Sequence, residues 1–105
     1  MDFVINLNAI EFSKKISEDK SAIVIDVRTP DEFNDGHIPG SILIDIYNPN
    51  FQNKIMELEK NKTYYIYCRS GSRSYHAGNY MRQSGFSNVY HLEEGILSWT
   101  DKLEK

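Results

Sequence analysis

Thr63-Tyr64-Tyr65-Ile66-Tyr67-Cys68-Arg69-Ser70-Gly71-Ser72-Arg73-Ser74 passes from a run of β-formers straight into small and basic residues. Its first half reads as a buried strand. The one cysteine of the chain stands at the junction. Residues 72–83 then read as a helix, with Gly85 marking its end. A nucleophile therefore sits at the carboxyl end of a strand and opens a tight loop into a helix. In open α/β sheets that is where ligands bind, and the rest of the chain reads as scaffold around Cys68.

Working outward, residues 21–28 form an apolar run without alternation that ends in charge, which suits a strand covered on both faces of a parallel sheet. Thr29 caps a short helix with Pro30 at its first position. Residues 36–40 are a turn cluster and 41–44 the next strand, and residues 50–59 carry Phe51, Ile55, Met56 and Leu58 at roughly helical spacing. Towards the amino terminus, residues 3–7 read as an edge strand. Asn8 and Glu11 follow as a capping box, Leu7 and Phe12 as a hydrophobic staple, and Phe12 and Ile16 as one helix face ending near Asp19. Towards the carboxyl terminus, residues 88–91 read as a strand and residues 93–103 as a closing helix with Ile96, Trp99 and Leu103 on one face. Five strands alternating with helices predict an α/β domain with a parallel sheet.

A chain of 105 residues suits one domain, here residues 1–105. Its net charge of −3 implies no general attraction to nucleic acid. Against that acidic background, three of the four arginines, Arg28, Arg69 and Arg73, fall in segments placed near the cysteine. A single cysteine leaves no internal disulfide, and His37, His76 and His91 lack metal-ligand spacing. The simplest location is the reducing cytoplasm. The first residues lack the basic region of a signal peptide, and no apolar run reaches membrane length. No membrane partner is read, and with no extended hydrophobic face the expectation is a monomer.

Cysteine attacks as thiolate, whereas an ordinary thiol is mostly protonated at neutral pH. Three features here favour the anion: loop N–H groups that can converge on the sulfur, the positive end of the following helix, and the charges of Arg69 and Arg73. Ser70 and Ser72 are small, and Gly71 can take a positive φ, so the loop can curl. The same donors would hold an anionic substrate or leaving group. A lone strand-end cysteine is more often structural than catalytic, but two arginines in a tight loop shift the reading to a thiolate that handles anions.

Four segments in this order resemble the signatures of single-domain rhodaneses, the thiosulfate or polysulfide sulfurtransferases. They are Asp26-Val27-Arg28 with Glu32-Phe33, Gly36-His37-Ile38-Pro39-Gly40-Ser41-Ile42, Tyr67 through Ser74, and Leu92-Glu93-Glu94-Gly95-Ile96 with Trp99. Glu94 stands where that family usually has the first of two glycines. The resemblance implies a three-layer sandwich, a central five-stranded parallel sheet with helices on both faces. It also implies a thiosulfate sulfurtransferase mechanism: Cys68 takes the sulfane sulfur of thiosulfate or polysulfide as a persulfide and passes it to a thiol or to cyanide, with a protein as a further candidate acceptor. In that scheme Arg69 and Arg73 bind the oxyanion end of the donor, and the backbone N–H groups of Arg69, Ser70, Gly71, Ser72 and Arg73 stabilise the sulfur anions. No cofactor or metal is called for.

Two rivals stand beside it. A rhodanese-like binding module would recognise a partner without turnover, but inactive members typically lose the cysteine. A cysteine phosphatase of related fold needs arginine six positions after the cysteine, where Ser74 stands here, and an arsenate reductase would also need a resolving thiol, which this chain does not have of its own. Asp26 and Arg28 read as an ion pair fixing the turns, with Glu32 as a further partner. His37 reads as a turn histidine bonded to backbone, His76 and Tyr75 as lining the mouth of the site or facing solvent, and Trp99 as core.

Overall fold

The computed structural model describes residues 3–105. Within them five strands build one all-parallel sheet in the order β1-β5-β4-β2-β3. The strands are β1 (Ile5–Leu7), β2 (Ile23–Asp26), β3 (Ile42–Leu43), β4 (Thr63–Tyr67) and β5 (Asn88–Leu92), and the helices are α1 (Ala9–Glu18), α2 (Pro30–Asn34), α3 (Phe51–Met56) and α4 (Ser72–Gln83). Each parallel crossover needs a connection over a face of the sheet, and the helices supply it.

Side-chain alternation along the strands divides the core in two. Tyr65, Tyr67, Val24 and Leu92 pack with Phe12 of α1 on one face. Ile25, Tyr64, Ile66 and Val89 pack with Ile55 of α3 and Ala77 and Met81 of α4 on the other. Cys68 belongs to the α4 face. The fully buried Phe12 meets Tyr65 and Trp99 edge-on. Burial of such a ring contributes about 1.5–3 kcal/mol.

Local signals set two helix starts. Asn8 and Glu11 form the capping box that opens α1. Thr29 and Glu32 form a second box at α2, with Pro30 in the first turn. Several elements are shorter than their apolar patterns predict: β1 begins at Ile5, β3 has two residues and α3 stops at Met56.

The closing helix predicted over residues 93–103 is absent. Only a 3₁₀ turn, Ile96–Ser98, forms there, and Trp99 is extended. The reason lies in where the backbone donors go. The N–H groups of Ile96 and Leu97 donate to the carbonyls of Cys68 (2.9 Å) and Arg69 (3.2 Å). A continuing helix would need those donors for itself. Ile96 and Trp99 still reach the core, but Leu103 is 44% exposed.

From β2 the chain turns to β3 on one side, whereas β4 lies on the other side and leads to β5. The connections leaving the carboxyl ends of β2 and β4 therefore diverge, and a crevice opens at this topological switch point. Cys68 follows β4 directly at that crevice.

Candidate active site

The loop after β4 curls back so that its amides meet the sulfur. Gly71 N–H donates to Cys68 Sγ at 3.1 Å and Ser74 N–H at 3.3 Å, with Ser74 Oγ at 3.6 Å. Gly71 is the N-cap residue of α4, and no side chain there accepts from the first turn. The sulfur takes that place, accepting an amide that a capping side chain would otherwise satisfy. Converging amides and the positive end of a twelve-residue helix favour an anion at this point.

The curl requires glycine. Gly71 has φ +105°, and an added Cβ would lie 1.9 Å from the carbonyl oxygen of Glu93. Opposite it, Gly95 has φ +71°, and its Cβ would lie 2.1 Å from the carbonyl oxygen of Arg69. The carboxyl-terminal segment is thus clamped on the loop by two backbone contacts and the two hydrogen bonds from Ile96 and Leu97. Glu94 is exposed and has no positive φ, so the second position of the glycine pair is the one with a steric demand here.

The two loop arginines are unlike. Arg73 makes a bidentate pair with Glu32 at 2.8 and 3.0 Å and lies 5.8 Å from the ring centre of Tyr47. The Arg73 guanidinium pulls the Glu32 carboxyl down to about 2, and Glu32 in turn raises Arg73 further above its ordinary value. Arg69 is exposed and has no recorded side-chain partner among the described residues. Ser70 and Ser72 are also exposed.

Asp26 and Arg28 form a buried pair at the end of β2. Arg28 Nε and Nη2 reach both carboxylate oxygens at 2.6–3.0 Å, and Nη2 also donates to the Gly36 carbonyl at 2.7 Å. Glu32, expected as a further partner of this pair, acts on Arg28 through its charge alone and makes its hydrogen bonds to Arg73. Its place at the third position of α2 turns it across the crevice towards the β4 loop. His37 Nδ1 donates to the Phe33 carbonyl at 2.9 Å and its ring stacks on Phe33 at 3.7 Å. None of its recorded contacts reaches the cysteine loop. His76 and Tyr75 are exposed on α4.

Two participants have no separate signal in the sequence. Buried Tyr67 accepts the Ile38 N–H at 3.0 Å and bonds Ser41 Oγ at 3.0 Å, tying the 36–41 turn to β4. Burial, with Asp26 nearby, pushes its phenol up and keeps it neutral. His91 lies beneath Ser74, which separates it from the sulfur. A groove of about 440 Å³ lined by Ile16, Val24 and Trp99 contains none of these residues and lies on the α1 face.

The sequence profile of the rhodanese-like domain matches residues 8–102. The chain belongs to the rhodanese-like domain family. A protein named sulfurtransferase from Allochromatium vinosum is 31% identical over 93 residues, covering 89% of this chain and 85% of that protein. The thiosulfate sulfurtransferase GlpE of Pseudoalteromonas translucida is 35% identical over 92 residues, covering 83% and 86%. The crystal structure of a rhodanese-like domain protein from Staphylococcus aureus matches with a TM-score of 0.83 at 30% identity, covering 96% of this chain and 97% of that one. The five-stranded parallel sheet flanked by helices is accordingly the rhodanese-like fold. Among the described residues no helix is long and apolar enough to cross a membrane.

Proposed function

We propose that this rhodanese-like chain is a sulfurtransferase in which Cys68 carries the sulfur as a persulfide. One observation carries the reading: two backbone amides converge on a cysteine sulfur at a helix start, leaving it the acceptor that the helix lacks. Such a site stabilises a sulfur anion without a metal or an added base. The thiolate attacks the outer sulfur of thiosulfate, the S–S bond breaks, and sulfite leaves with the electron pair. The persulfide then yields its outer sulfur to a thiol or to cyanide, and the cycle returns to the thiolate.

The charges divide the work of donor binding. Arg69 is the uncompensated cation of the loop and would meet the sulfonate end of thiosulfate. Arg73, held by Glu32, contributes a fixed donor frame with its net charge offset. Thiosulfate or polysulfide is the proposed donor and the proposed location is cytoplasmic.

Thiocyanate formation from thiosulfate and cyanide tests the reading. Wild-type protein should turn over and Cys68→Ser should not. A folded wild type that forms no thiocyanate from thiosulfate or polysulfide and transfers no sulfur to a dithiol would overturn it and favour a binding module.

A further inference from the structure

The cysteine sulfur is connected to the far edge strand by a chain of side chains. Ser74 Oγ lies 3.6 Å from Cys68 Sγ and 3.0 Å from Nδ1 of His91. Nε2 of His91 lies 2.8 Å from Asn6 Oδ1 on β1. Cys68 is 1%, Ser74 0% and His91 2% exposed, whereas Asn6 is exposed. The chain of contacts therefore runs from a sulfur shielded from water to solvent on another strand. Burying three polar groups in a line is costly unless each is satisfied, and here each is.

The groups around the ring constrain what it does. From α4 it meets Ser74 and the ring of Tyr75, 5.8 Å away, and from β1 it meets Asn6. It neighbours Ile66 of β4 in register. The titratable groups facing it are Tyr75 and, through Ser74, Cys68. Burial holds His91 down at about 4, so the ring rests neutral.

We propose that Ser74, His91 and Asn6 form a proton relay that carries the Cys68 thiol proton out to solvent at β1 and leaves the Ser74 hydroxyl donating to the sulfur anion. It rests on the reading of Cys68 as a nucleophile. At the start the thiol S–H donates to Ser74 Oγ, the Ser74 O–H points to His91 Nδ1 at 3.0 Å in preference to the Gly71 carbonyl at 3.2 Å, and Nε2–H donates to Asn6 Oδ1. The S–H bond breaks as its proton passes to the Ser74 oxygen. The original Ser74 proton passes to Nδ1, and the Nε2 proton leaves to water beside Asn6. The Asn6 amide turns so that its NH₂ donates to the vacated Nε2, a rotation that exchanges donor for acceptor at one place. His91 and Ser74 are neutral before and after, the sulfur keeps the electron pair, and solvent gains one proton. Ser74 touches the reacting sulfur itself, whereas His91 acts on it through Ser74 and is a positioning residue.

Alkylation of the sole cysteine by iodoacetamide, followed against pH, tests this without any sulfur transfer. Its outcome is thereby separable from the outcome of the thiocyanate assay. Ser74→Ala should react about tenfold more slowly at neutral pH, with its profile displaced to higher pH, as loss of a donor to an anion requires. Ser74→Thr keeps the hydroxyl and should restore the wild-type profile. His91→Phe keeps the ring volume and should shift the profile in the same direction, because no Nδ1–H then holds the Ser74 hydroxyl turned to the sulfur anion. Should His91→Phe fail to fold, Asn6→Leu at the exposed strand carries the same prediction, with a shift of about threefold. Ser74→Ala and Asn6→Leu profiles that superimpose on wild type would overturn the relay. A uniform loss of rate at every pH would also overturn it, since that marks a structural role alone.

Discussion

Glu32→Gln removes one charge while keeping an acceptor that can still bond Thr29 and Arg73. Glu32 is held at about 2 against its ordinary 4.5, chiefly by hydrogen bonding to Arg73. At about 1.4 kcal/mol per pH unit, that shift corresponds to at most about 3.5 kcal/mol. The carboxylate is 27% exposed, and solvent screening of a partly open pair leaves ~1–2 kcal/mol. Because the folded-state value is depressed, this stabilisation is complete above 4.5 and is lost as pH falls from there towards 2. The variant should therefore melt roughly 5–10 °C below wild type at neutral pH. The two should converge as the medium is acidified to about pH 2, where wild-type Glu32 is itself becoming neutral. Thermal unfolding followed by circular dichroism at a series of pH values reads this directly. A gap of equal size at neutral and acid pH would refute the reasoning, because the loss would then lie in packing or capping. So would the absence of any gap at neutral pH.

Other outcomes follow from the same geometry. Gly95→Ala places a methyl 2.1 Å from the Arg69 carbonyl oxygen, so thiocyanate turnover should fall by about tenfold or more as the loop shifts. Glu94→Gly, at an exposed position, should stay near wild type. Tyr67→Phe leaves the buried Ile38 N–H without its acceptor and should cost about 1–3 kcal/mol in urea unfolding. Arg69→Ala should raise the KM for thiosulfate severalfold, and the difference from wild type should shrink as ionic strength rises. A KM insensitive to both would remove Arg69 from donor binding.

Legibility in the sequence follows the range of the interactions. The capping box at Asn8 and Glu11 and the cap at Thr29 depend on neighbours three residues away, and both were readable. The unalternated run of β2 and the β-formers of β4 point to a buried parallel sheet, and α4 begins and ends where its residues predict. The closing helix failed because its donors serve a loop about 28 residues earlier in the chain, and helical periodicity carries no record of such a contact. Sequence proximity places Glu32 beside Arg28, whose charge it does feel, but the divergence of the β2 and β4 connections turns its hydrogen bonds to Arg73. In the sequence His91 is only a histidine without metal-ligand spacing. Its partners stand 17 and 85 residues away, and only strand order brings them together.

Intact-mass spectrometry of the reduced protein after mixing with thiosulfate tests the persulfide at Cys68 most directly. The account predicts a gain of one sulfur atom in wild type, none in Cys68→Ala, and its removal by cyanide as thiocyanate appears. Folded wild type with a free thiol that gains no sulfur from thiosulfate or polysulfide would contradict it.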